Sequence, residues 1–247
     1  MDEALRQLPG ADFIYFADTF HVPYGCRPKE QVKKLVLDVS DFLYRQKIDA
    51  LVVACNTATS IGIQELRAVY DIPVIGMEPA VKVALQKDCH RKVLVFATAL
   101  TIAEKKYRDL ISSQQLDLQV VSLAMPGLVT FAEQADFDSP DVYSYLQQSL
   151  ASFDLSEFGT LVLGCTHFIY FKNLLADMLP SQISIVDGNA GTVRHLYNTI
   201  QDRLDVRFNN NVSDRRAEVH FFTSTSNGPR QTDFTYYLEY LARQRQS

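Results

Sequence analysis

Eight short apolar runs, most of them rich in valine and isoleucine, alternate with stretches of helical periodicity along the whole chain. The runs are Phe13–Phe16, Ala50–Ala54, Pro73–Gly76, Lys92–Ala97, Leu118–Leu123, Thr160–Gly164, Ile183–Val186 and Val219–Thr223. They are continuously apolar, the signature of parallel strands covered on both faces. The segments between them have the length that a right-handed crossover helix requires. The clearest follows Pro28, a favourable first-turn residue, and carries Val32, Leu35, Val36, Val39, Phe42 and Leu43 on one stripe. Ile61, Leu66 and Val69 mark the next helix, and Pro140–Phe153, Ala190–Leu204 and an aromatic-rich Thr232–Arg243 supply three more. Polar Arg207–Arg216 reads as a surface loop. This alternation predicts α/β architecture with parallel sheets.

The pattern is also duplicated. Leu51-Val52-Val53-Ala54-Cys55-Asn56-Thr57-Ala58 resembles Leu161-Val162-Leu163-Gly164-Cys165-Thr166-His167-Phe168, 110 residues further on. In each, an apolar strand runs into a small residue, a cysteine, a threonine within two positions, and then a helix. A weaker echo pairs Phe13–Thr19 with Val93–Ala99. Repetition at about half a chain predicts two pseudosymmetric, doubly wound lobes facing each other across a cleft.

Composition narrows what such a cleft can serve. The 247 residues carry 24 Lys+Arg against 29 Asp+Glu, a formal net charge of −5. That balance provides no basic footprint for nucleic acid and no attraction to an anionic membrane surface. No apolar run approaches the ~20 residues of a membrane span. Met1–Gly10 is helix-forming and charged, unlike a secretory signal, so the cytoplasm is the expected compartment. The four cysteines, Cys26, Cys55, Cys89 and Cys165, form no C-x-x-C pair and no cluster at zinc spacing, and free thiols are expected. Cys26 and Cys89 read as ordinary residues.

Cys55 and Cys165 both sit where a strand ends and a helix begins, the usual ligand site of open α/β sheets. A helix start offers N–H donors and positive partial charge, which can lower a thiol pKa and bind a carboxylate. One such cysteine suggests a nucleophile. Two, one from each lobe, can address opposite faces of one small anionic molecule, one removing a proton and the other returning it from behind. Two ordinary strand-end cysteines in a duplicated fold remain the alternative at this point.

Cys55-Asn56-Thr57-Ala58 and Gly164-Cys165-Thr166-His167 closely resemble the paired cysteine motifs of the glutamate racemases, in the aspartate/glutamate racemase superfamily. Asp18-Thr19 with Val22-Pro23-Tyr24-Gly25 resembles that family's substrate loop. Tyr70–Pro79 is similar to the segment leaving the first lobe, Ala97-Thr98 with Thr101-Ile102 to the second lobe's threonine-bearing strand end, and Val186-Asp187-Gly188 to the return. The ordered set spans essentially the whole chain. The resemblance implies two lobes, residues 1–79 plus 188–247 and residues 80–187, and interconversion of L- and D-glutamate without cofactor or metal, supplying D-glutamate for peptidoglycan. It implies that Cys165 takes the α-proton of L-glutamate, that Cys55 delivers one to the opposite face, and that His167 is the acid–base partner of Cys165. Tyr24 and Gly25 are expected to close over the substrate, with Asn56, Thr57, Thr98, Thr101 and Thr166 holding or lining it. The only partners implied are the amino acid and a second copy in a homodimer. Thr98 and Thr101 could equally be helix caps, Glu133 reads first as a solvated helix residue and second as a carboxylate supporting the site from behind, and His21, His90, His195 and His220 show no partner pattern.

The chain departs from the family at its start. The family opens on a strand ending in Asp-Ser-Gly, whose aspartate partners the first cysteine, whereas Met1–Pro9 matches the later part of the helix that follows. Cys26 also stands where the family more often has a small polar residue. Three explanations compete: a misplaced start, a fragment, or a homologue that binds a ligand without turnover. The expectation is a first lobe short of one interior strand, two exposed strand edges, and weak or absent activity that an upstream Asp-Ser-Gly strand restores. Racemisation of aspartate or a related amino acid is the sister alternative.

Overall fold

In the computed structural model, which describes residues 1–87, 90–112, 119–208, 217–225 and 231–245, the expected alternation is realised, and every strand pairing among those residues is parallel. The first half runs α1 (Asp2–Gln7), β1 (Phe13–Ala17), a 3-10 turn (Tyr24–Cys26), α2 (Lys29–Tyr44), β2 (Leu51–Val53), α3 (Asn56–Val69) and β3 (Val74–Gly76). The middle runs α4 (Val81–Lys87), β4 (Lys92–Ala97), α5 (Ala99–Ala103), α6 (Lys105–Ser112), β5 (Val120–Ala124), α7 (Pro126–Glu133), α8 (Pro140–Leu150), β6 (Phe158–Leu163), a 3-10 stretch (Thr166–Phe171), α9 (Lys172–Met178) and β7 (Ser184–Asp187). The chain closes with α10 (Asn189–Phe208), β8 (Val219–Thr223) and α11 (Gln231–Gln244).

The second lobe is built on a four-stranded sheet in the order β5-β4-β6-β7. Its central strand explains why the apolar runs are continuous. Leu94 and Phe96 of β4 join one core with Leu128, Leu146 and Phe168, while Val93, Val95 and Ala97 join another with Val81, Ala84 and Tyr107. Successive side chains point to opposite faces, and helices cover both. Each such fully buried Leu, Val or Phe contributes about 1.5–3 kcal/mol.

The first lobe differs from a single doubly wound sheet. β1 pairs with β8 and β2 with β3, giving two separate two-stranded sheets among the described residues. Both β1 and β2 line a cavity of about 1330 Å³, so each has one edge without a described strand beside it. The expected stripe of α2 is present: Val32 and Val36 pack with Ile63 and Leu66 of α3 and Leu51 and Val53 of β2. α1 lies against α10, with Leu8 beside Val193, Leu196 and Ile200.

Boundaries shift by a few residues. The helix expected to reach Phe153 ends at Leu150, and Val69, expected on the apolar stripe of α3, is 66% exposed because it is the last residue of that helix. α10 extends to Phe208, into the expected loop; residues 209–216 and Cys89 lie outside the described residues. No helix among the described residues is long and apolar enough to cross a membrane.

Candidate active site

Both cysteines stand at the strand ends the sequence indicates. Cys55 has extended backbone and caps α3, its Sγ accepting the Ala58 N–H at 3.5 Å. Cys165 follows β6 and opens the 3-10 stretch with nearly the same extended conformation. Gly164, just before it, is required by close approach: a Cβ there would lie 2.7 Å from the Phe96 carbonyl oxygen of the neighbouring strand.

The two thiols differ electrostatically. Burial pushes the Cys55 thiol up to about 11, the charge of Cys165 adds to the rise, and the N–H groups of Ala58 and Thr57 only partly oppose it. The sequence-based expectation that a helix start lowers a thiol pKa therefore fails at Cys55, because desolvation outweighs the helix start there. Cys165 has a hydrogen-bond partner instead. Its Sγ lies 3.6 Å from His167 Nδ1, and His167 Nε2 lies 2.6 Å from Glu133 Oε1. Burial alone would lower the His167 pKa, yet its contacts with Cys165 and Glu133 raise it to about 10. The ring is thus an imidazolium held between a sulfur and a carboxylate.

Glu133 combines its two sequence readings, remaining partly exposed on its helix while meeting the ring of His167. It sits at the end of α7, which packs against the 3-10 stretch, and it bonds His167 instead of facing only solvent. Its separation of 34 residues from His167 left no local signal. Tyr15 of β1 was missed. Burial pushes its phenol up to about 12, and the charges of Glu133 and Cys55 both add to the shift, which places β1 beside both halves of the site.

Thr57, Thr98 and Thr101 form a closed triangle of buried hydroxyls with Oγ1–Oγ1 distances of 2.9, 3.1 and 2.9 Å. Thr98 also accepts the Thr101 N–H at 3.2 Å, which makes it the cap of α5, one of its two sequence readings. Gly25 is seated on this cluster, where an added Cβ would meet the Thr98 Cβ at 2.6 Å. Tyr24 donates its hydroxyl to Asp18 Oδ2 at 2.5 Å, and burial with that carboxylate drives its pKa far up. His21, read as unpartnered, bonds Asp18 Oδ1 at 2.7 Å. Asn56 is buried, with its amide directed to the Met77 carbonyl at 3.5 Å.

The large cavity reaches Ala54, Glu133, Thr166 and His167, chain neighbours or partners of the cysteines, while the two cysteines and the Thr57–Thr98–Thr101 cluster lie outside its lining. Thr19, half-buried and also lining it, has a buried Oγ1 without a hydrogen-bond partner among the described residues. Among the described residues no group of three or more His, Cys, Asp or Glu is placed to hold a metal ion. The arrangement offers one thiol paired with an imidazolium, a second thiol held protonated, and hydroxyl and N–H donors suited to carboxylates.

Known proteins resemble this chain in sequence and in fold. The family described as Asp/Glu/Hydantoin racemase matches residues 1–196. A glutamate racemase of Halothermothrix orenii is 48% identical over 224 residues, covering 91% of this chain and 87% of its own. The crystal structure of glutamate racemase isoform RacE1 from Bacillus anthracis superposes with a TM-score of 0.80 at 29% identity, covering 96% of this chain and 86% of that one. The Escherichia coli glutamate racemase, solved with L-glutamate and the activator UDP-MurNAc-ala, gives a TM-score of 0.80 at 26% identity, covering 97% and 89%. Both the ordered motifs and the paired-cysteine architecture thus have one source: the chain belongs to the Asp/Glu/hydantoin racemase family.

Proposed function

We propose that this chain interconverts L- and D-glutamate without a cofactor, with Cys165 and Cys55 as the two opposed proton carriers. The observation that supports this most is the contrast between the thiols. Cys165 has the His167 ring 3.6 Å from its Sγ, whereas burial keeps the Cys55 thiol protonated up to about pH 11. In the L-to-D direction the Cys165 thiolate takes the α-proton, negative charge develops at the α-carbon, and Cys55 protonates the opposite face. The C–H bond broken on one side is replaced by a C–H bond formed on the other, and the proton has moved from Cys55 to Cys165. The reverse reaction starts from that second protonation state.

His167 stabilises the Cys165 thiolate, and Glu133 orients the ring by fixing its other nitrogen. Thr57, Thr98, Thr101 and Thr166, with Asn56 and the N–H groups at the starts of α3 and the 3-10 stretch, would hold the carboxylates. Tyr24 and Gly25 close the cleft. Glutamate as substrate is supported by the names of the relatives and by the L-glutamate bound in the E. coli enzyme. The lobes are taken as residues 1–79 plus 188–247 and residues 80–187, and the working unit as a cytoplasmic homodimer that supplies D-glutamate for peptidoglycan.

The test is to follow circular dichroism of the amino acid across a panel of L-glutamate, L-aspartate, L-alanine and L-serine. Loss of optical activity is expected with glutamate alone, and Cys165→Ala is expected to abolish it. Faster loss with aspartate would replace the substrate, and turnover persisting in Cys165→Ala would overturn the mechanism.

A further inference from the structure

Two charges in this protein stand where local rules disfavour them. Lys29 is the first residue of α2, where a cation opposes the helix dipole. Glu104, only 7% exposed, is a carboxylate buried at the joint between α5 and α6. Burying a charge is costly unless it is paired. They pair with each other: Lys29 Nζ lies 2.7 Å from Glu104 Oε2, across 75 residues of sequence. Glu65, bonded to Lys33, also lies within electrostatic reach of Lys29. Positions that break local rules in concert mark strained or functional places.

The pair lies where the two lobes meet around the hydroxyl cluster. α5 is only five residues long and begins at Thr98. At that end Thr57 of α3 bonds Thr98 and Thr101, and Gly25 is pressed against Thr98. At its other end Glu104 is drawn to Lys29, three residues beyond the Tyr24–Cys26 turn. The short helix is thus fixed to the first lobe at both ends.

We propose that Lys29 and Glu104 form an interlobe latch, a positioning pair that holds α5 and the Tyr24–Gly25 turn against each other and so sets the Thr57–Thr98–Thr101 cluster for a ligand carboxylate. Neither residue touches the substrate. The latch sets the fraction of molecules in the binding-competent arrangement, and an apparent affinity falls in proportion to that fraction. Its kinetic consequence rests on the racemase reading above; its structural consequence does not.

The experiment compares the full chain with Glu104→Gln, Lys29→Met, the charge exchange Lys29→Glu with Glu104→Lys, and Lys92→Met, which breaks the exposed Lys92–Glu157 pair within the second lobe. The exchange places an acid at the start of α2, where the helix dipole favours it. Amide hydrogen exchange of the ligand-free protein is read over residues 23–27 and 98–104, and KM and kcat with both glutamate enantiomers. In Glu104→Gln and Lys29→Met, exchange in both segments is expected to accelerate several-fold and KM to rise roughly five- to tenfold with kcat within about twofold. The charge exchange is expected to restore both within about threefold, and Lys92→Met to leave them unchanged. Unaltered amide exchange in Glu104→Gln, a fall in kcat at constant KM, failure of the charge exchange to restore, or the same response in Lys92→Met overturns the latch. Absence of turnover in the unaltered chain overturns the racemase reading, and amide exchange then still decides the latch.

Discussion

A thiol at a helix start is ordinarily made more acidic, and Cys55 runs against that because it is desolvated and faces a second sulfur. The asymmetry between Cys55 and Cys165 has a kinetic signature. Turnover needs one thiolate and one thiol, and it fails when both have lost their protons. Both kcat/KM profiles are expected to fall as pH passes about 11, where Cys55 titrates. Because the two enantiomers have equal free energy, the L and D profiles must superimpose, and initial rates from either enantiomer across pH 9 to 12 check this. His167 provides a second test. Its folded pKa of about 10 exceeds the 6.5 of an ordinary histidine, so its imidazolium stabilises the fold fully below pH 6.5, and that contribution is lost as pH rises through 10. Glu133→Gln is expected to lower the His167 pKa, read by ¹⁵N resonances of the imidazole; an unshifted value would remove Glu133 from the relay. The cysteines and His167 were legible because strand, small residue, cysteine and threonine occur twice in line. Glu133 was legible only as the second of two readings and Tyr15 not at all, since only tertiary packing of α7 and β1 brings them to the site.

The elements that carry the site do so at junctions with little spare room. β6 delivers Cys165 through Gly164, whose missing side chain lets the strand end pass the Phe96 carbonyl. Gly164→Ala is expected to destabilise the fold by about 1–3 kcal/mol, since a backbone oxygen cannot move aside as a flexible side chain can. Urea unfolding checks this by a lower midpoint at unchanged slope. Phe168, fully buried beneath the 3-10 stretch, anchors the same segment from the core side, and Phe168→Ala is expected to cost about 3–5 kcal/mol. The strand Lys92–Ala97 was readable to the residue, because an unbroken apolar run fits a strand covered on both faces; Val219–Thr223 was read with the same bounds although His220 and Phe222 are exposed. α5 and α6 were not, because five- and eight-residue helices span too few turns to show a stripe. The hydroxyl triangle escaped derivation from spacing for a related reason: it forms across the lobe boundary from two segments about 40 residues apart.

At the scale of the molecule, two lobes of similar design differ in how completely they are tied together. The second has one four-stranded sheet with a core on each face; the first has two strand pairs flanking a cavity that reaches Ala54 and His167. The duplication was visible in sequence, whereas the division of the first sheet depends on which strand edges meet in space. In the proposed reaction two groups on opposite faces handle the proton, and deuterium labelling separates this from a single-base site. The chain is incubated with L-glutamate in D₂O, and the α-position of both enantiomers is read by mass spectrometry at low conversion. The two-cysteine site predicts deuterium in the D-glutamate formed and almost none in the remaining L-glutamate, because solvent deuterium arrives from Cys55 on the far face. Equal early labelling of both enantiomers would mean that a single group removes and returns the proton, and would contradict it.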